Sequence, residues 1–145
     1  MRFALIAIGA VFISGVLFLA CKPRLAARGT YDQIESRLDG LKRSTDPKAF
    51  VGFCTKNTDA LYFVFEHGTY NLDYELYDPE KAKFAEPFRK VAGNLGHKVQ
   101  ETTYGSAPVL RVDLGPNTKQ AAEQGFQFAH QLFGLEKATN IEFLP

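Results

Sequence analysis

Histidine, cysteine and carboxylate are the side chains with chemistry to offer here, and this 145-residue chain holds three histidines and two cysteines. His67, His97 and His130 stand far apart. None has a second His or Cys two to four residues on, the spacing a zinc site uses. Cys21 and Cys54 are too few for a disulfide-rich scaffold or a four-cysteine metal centre. No Cys/His/Asn order suggests a cysteine hydrolase, and no serine lies in a G-x-S-x-G turn. Asp73, Glu75 and Asp78 cluster at one strand end, and paired acids can move protons. Asp73 and Glu75, however, share a polar strand face where solvation accounts for both. Leu114-Gly115-Pro116-Asn117 is a strand exit and helix cap, without the G-x-x-x-x-G-K of a phosphate cradle. The expectation is no metal, no cofactor and no catalytic residue. A small enzyme is the rival reading.

Aromatic rings give the binding lead. Tyr62, Tyr70, Tyr74, Tyr77 and Tyr104 all fall in or beside expected strands. A tyrosine on an open sheet face offers a ring for stacking and a polar tip. The competing reading puts these rings in the core under helices. Nucleic acid is excluded as a partner by charge. The chain is nearly neutral, with 17 Lys+Arg against 16 Asp+Glu. Residues 57–145 hold 8 basic and 12 acidic groups, and so would repel phosphates. Residues 21–56 carry the opposite balance, 8 basic against 4 acidic, beside a presumed membrane that favours Lys and Arg. The composition, 46% hydrophobic and 23% charged, excludes a disordered chain.

What must position these residues begins with a leader. Residues 3–20, Phe3 to Ala20, carry no charge, and Ser14 is their one polar side chain. As a helix they span roughly 27 Å at 1.5 Å per residue, enough for a hydrocarbon core. Three readings follow: an uncleaved anchor, a cleaved secretory signal, or a bacterial lipoprotein signal. Leu17-Phe18-Leu19-Ala20-Cys21 resembles a lipobox, which implies lipidation of Cys21. Four basic residues after the leader (Lys22, Arg24, Arg28 and Arg37) argue for a cytoplasmic body by the positive-inside rule. The signal-like length and the setting of Cys21 favour an extracytoplasmic one, and that is the reading adopted.

Behind the leader the pattern alternates between helical and extended. Thr30 with Gln33 spells a capping box, followed by a stripe of Tyr31, Ile34, Leu38 and Leu41. Asp46-Pro47 reads as a second helix start, ending at Cys54. Leu61–Glu66 and Tyr70–Leu76 read as a hairpin through His67-Gly68-Thr69. Its first strand is apolar on both faces, so it should be central or covered by the N-terminal helices. Its second alternates, predicting one buried and one wet face. Asp78-Pro79-Glu80 starts a helix that Pro87 should kink or split and Gly96 should close. Lys98–Tyr104 reads as an edge strand, and residues 109–114 as another strand. Asn117 with Gln120 caps a helix that Gly134 ends, and residues 141–144 form a closing strand.

Residues 71–144 thus spell β-α-β-β-α-β. The fold class is α+β: a ferredoxin-like split β-α-β, an antiparallel sheet with helices on one face. An extra N-terminal strand and helices precede it, behind the apolar membrane segment. The chain divides into a leader over 1–21, a basic segment with amphipathic helices over 22–56, and a globular domain over 57–145. A membrane leader before such a unit resembles the layout of SPOR domains, and Leu110-Arg111-Val112-Asp113-Leu114-Gly115-Pro116 is similar to that family's second-repeat strand. The resemblance would cover residues 71–144 and implies binding of cell-wall glycan strands. Pro87 and a missing glycine turn in the first half depart from it. The expected function is that of a membrane-tethered, non-catalytic domain binding a protein or envelope component. Glycan binding and a structural envelope subunit are the alternatives.

Overall fold

The computed structural model describes residues 27–54, 60–77 and 79–144. The leader, Cys21 and Asp78 lie outside the described residues. Among the described residues, strands β1 (Ala27–Gly29), β2 (Val51–Cys54), β3 (Ala60–Glu66), β4 (Thr69–Glu75), β5 (Gln100–Tyr104), β6 (Ala107–Gly115) and β7 (Ile141–Leu144) form one sheet. Its order is β1-β7-β2-β3-β4-β6-β5, and every neighbouring pair is antiparallel. Helices α1 (Ile34–Arg43), α2 (Pro79–Ala82), α3 (Ala85–Asn94) and α4 (Thr118–Phe133) complete the α+β fold. No helix among the described residues is long and apolar enough to cross a membrane.

Helices cover one face of the sheet. By register, Phe53, Phe63, Leu72, Val112 and Phe143 share that face with Tyr70, Tyr74 and Leu110. Tyr31, in a 3-10 turn before α1, meets Phe53 edge-on at 5.3 Å. Phe88 of α3 stacks on Tyr74 at 5.7 Å and meets Phe128 of α4 at 5.1 Å. Tyr31, Ile34, Leu38 and Leu41 are all buried, so the first helix is docked on the sheet. Gly125 lets α4 come down on β3: a Cβ there would sit 2.2 Å from the Phe63 ring.

Several expectations hold locally. β3 is the middle strand of seven, as its two apolar faces require. The hairpin turns through His67, held at a φ of 54°, and Gly68. Pro87 splits the expected helix into α2 and α3, sitting in the first turn of α3 where its missing N–H costs nothing. The Asn117 side chain accepts from the Gln120 N–H at 2.9 Å, capping α4.

Three expectations are corrected. Asp46-Pro47 starts a turn rather than a helix. Asp46 accepts from the Lys48 N–H at 2.9 Å and from the Ala49 N–H at 3.1 Å, and Val51–Cys54 is then claimed as a strand between β3 and β7. The Thr30 hydroxyl bonds Asp32 and caps no backbone N–H. The ferredoxin-like order of residues 71–144 is not found intact. β4, β6 and β5 stand as that plan requires, but β7 pairs with β2 and β1 instead of β4. The β2–β3 hairpin has taken the place beside β4, so the β6–α4–β7 crossover spans three strands instead of one.

Candidate functional site

Among the described residues no helix lies on the sheet's second face, and its side chains are of a different kind. Register places Gly52, Tyr62, Asp73, Arg111 and Gln100 in one row across five strands. Gly52 has no side chain because the Tyr62 ring occupies the space: a Cβ there would lie 2.9 Å from it. Beside Tyr62, Asp73 is buried at 1% exposure although no helix of the described residues covers it. The expected wet face of β4 is therefore not wet: Asn71, one step along, is buried too.

Arg111 explains how Asp73 can be there. Its Nε and Nη2 donate to the two carboxylate oxygens of Asp73 at 2.7 and 2.6 Å. Its Nη1 donates to Glu66 at 2.6 Å. This fork-to-carboxylate geometry is charge-assisted and bidentate, and stronger than a neutral hydrogen bond. Burial pushes the Asp73 carboxyl above its ordinary range, with the Arg111 bonds opposing. The same bonds hold the Arg111 guanidinium even more firmly protonated than usual. Bonds this short to both oxygens are those of an ionised pair. Glu75 is likewise engaged, by Lys81 at 2.9 Å.

Aromatic rings flank this network. Phe50 meets Tyr62 edge-on at 5.7 Å and Tyr104 at 6.5 Å. The Tyr104 hydroxyl donates to the Lys48 carbonyl at 2.6 Å. The segment between α1 and β2 is thereby held against the helix-free face. Burial, and then the charge of Glu75, pushes the Tyr62 hydroxyl up to about 12. Tyr104 is raised as well, first by burial and then by Glu66.

The five tyrosines therefore part company. Tyr62 and Tyr104 lie on the helix-free face. Tyr70 and Tyr74 do not belong to a binding surface: they point the other way, are fully buried, and their hydroxyls donate to the carbonyls of Leu38 (3.0 Å) and Lys81 (2.8 Å). Tyr77 stands apart after β4, 55% exposed. Arg111, Glu66 and Phe50 escaped the sequence reading. The signal was present, since Val109-Arg111-Asp113 and Asn71-Asp73-Glu75 are alternating faces of strands that pair.

The histidines do not converge. His130 Nδ1 lies 2.8 Å from the Leu135 carbonyl, and its ring stacks on Phe126. The His97 ring packs against Phe128 at 5.9 Å. Among the described residues no group of three or more His, Cys, Asp or Glu could hold a metal ion. Cys54 is buried and disulfide-bonded. The sequence holds one other cysteine, Cys21. Comparison with protein-family models, curated proteins and solved structures found no match to this chain.

Proposed function

We propose that this chain is a membrane-tethered, non-catalytic binding domain, held by residues 3–20 with its body on the extracytoplasmic side. The observation that carries this reading is the disulfide at Cys54. Disulfides persist in oxidising compartments and are rare where glutathione keeps thiols reduced. Taken with an apolar leader, an oxidised Cys54 favours export of the body. Its partner in this proposal is Cys21, directly after the leader. That bond and lipidation of Cys21 exclude one another, because each needs the same sulfur. The uncleaved anchor thereby gains over the lipoprotein signal.

The non-catalytic part rests on the carboxylates. Asp73 and Glu66 are both engaged by Arg111 and Glu75 by Lys81, so none is free to shuttle a proton. The ligand face proposed is the helix-free one around Tyr62, Phe50 and Tyr104, for a protein or envelope component. The SPOR-like alternative keeps residues 110–116 in its favour and has the position of β7 against it.

The test is intact mass and membrane fractionation of the natively expressed chain, with thiols alkylated before and after reduction and Cys21→Ala as control. An unprocessed chain in the membrane fraction whose cysteines react only after reduction is the expected result. A diacylglyceryl-modified Cys21, or two thiols reactive without reduction, would overturn it. Tyr62→Ala should then weaken co-sedimentation of the folded protein with isolated envelope fractions.

A further inference from the structure

We propose that β5 is a self-association edge, across which two copies of this chain pair their sheets antiparallel about a two-fold axis at Thr102. β5 is the outermost strand of the sheet, and among the described residues it pairs only with β6. Gln100, Glu101 and Thr103 are exposed. Pro108 fixes which of its backbone groups point outward. The Pro108 carbonyl accepts from the Leu76 N–H at 2.9 Å, so the Pro108 main chain faces β4. Thr103 lies opposite Pro108. In an antiparallel ladder, residues in such a pair turn their main-chain groups away from each other. The N–H and C=O of Thr103 therefore face solvent. By alternation those of Glu101 do too, while Gln100, Thr102 and Tyr104 bond β6.

A two-fold axis at Thr102 sets Glu101 of one copy against Thr103 of the other, twice. Each pairing joins two outward donors to two outward acceptors, giving four main-chain hydrogen bonds. Thr102 then meets its own symmetry mate in a non-hydrogen-bonded pair, where side chains approach closest. The side chains suit this. Threonine faces threonine, Gln100 faces Tyr104, and no like charges are directly opposed. The Glu101 charge is matched by Arg89 within its own copy.

Natural edge strands that must stay single carry charges, Pro or a bulge. Gln100–Tyr104 has no Pro and no bulge, its register with β6 is unbroken, and its one charge, Glu101, is paired with Arg89. The opposite edge differs: β1 has three residues and places Arg28 among them. A second copy is the occupant this symmetry selects, because the edge is complementary to itself. Edge pairing alone buries little surface and is weak in dilute solution. Confinement to a membrane surface, which rests on the tether proposed above, raises the effective concentration. The register does not depend on that tether.

Thr102→Cys in the full chain, oxidised mildly in membranes and run on a non-reducing gel, should give several-fold more covalent dimer than Thr103→Cys. Adding Thr103→Pro to Thr102→Cys removes an outward N–H that takes no part in the β5–β6 ladder. It should abolish the dimer with the thermal unfolding midpoint nearly unchanged. No dimer from Thr102→Cys would overturn the proposal. So would equal dimer from Thr103→Cys, or a cross-link to a protein of another mass.

Discussion

The two faces of the sheet solve burial by opposite means. On the helix-covered face the rings interlock, and the tyrosine hydroxyls find backbone carbonyls of the helices above them. On the other face an acid is buried with no helix over it among the described residues, and an arginine two strands from Tyr62 answers its charge. The first arrangement tolerates substitution by shape. The second is indifferent to shape and intolerant of losing one partner. The same residue type therefore means different things on the two sides: Tyr70 is structural, while Tyr62 and Tyr104 frame a polar network.

The largest expected effect breaks the network. Arg111→Met leaves Asp73 charged and buried without a partner, and should cost about 3 kcal/mol in urea unfolding. Adding Asp73→Asn should recover part of that loss, since it removes the stranded charge. A cost for Arg111→Met within the range of an ordinary surface substitution would show that the helix-free face is solvated after all.

Next in size is a paired test of the tyrosines. Tyr70→Phe removes bonds to the Leu38 carbonyl and the Thr118 hydroxyl in the core, and should cost about 1 kcal/mol. Tyr104→Phe removes a single bond at the rim and should cost less, about 0.5 kcal/mol. It should also speed proteolysis within residues 44–50, which that bond holds. Equal costs without faster cleavage would erase the contrast.

The smallest effect is in acid. The Thr69 hydroxyl, at 2.5 Å, and the Gly115 N–H, at 2.7 Å, hold the Asp113 carboxyl below its ordinary range. Its stabilisation is present above the ordinary carboxylate pKa and is lost as pH falls through the lowered folded value. Thermal midpoints measured on the acid side should fall less steeply for Asp113→Asn than for the parent. Asp113 is exposed, so the difference will be modest.

Much of this was legible because it is local. The Asn117 cap, the split at Pro87, the two-residue hairpin turn and the central place of β3 each depend on neighbours a few residues away. β2 was misread because Asp-Pro begins turns and helices alike, and the next four residues became a strand only by pairing with β3 and β7. The pairing of β7 with β1 and β2 has no local trace. The helix-free face was half legible. Alternation assigns Asp73 to the polar side correctly, but polarity does not imply exposure: Asp73 is buried. Its burial depends on Arg111, 38 positions away in the chain.

The placement of β7 has a consequence in time. β1 is the first strand in the chain, yet it cannot take its final place until β7, after the last helix, arrives between it and β2. Closing so long a loop is slow, because its entropy must be spent before any contact repays it. The β3–β4 hairpin and the β5–β6 hairpin can form at once. One side of the sheet therefore stays unfinished, with the β2 edge bare, until nearly all of the chain has been made.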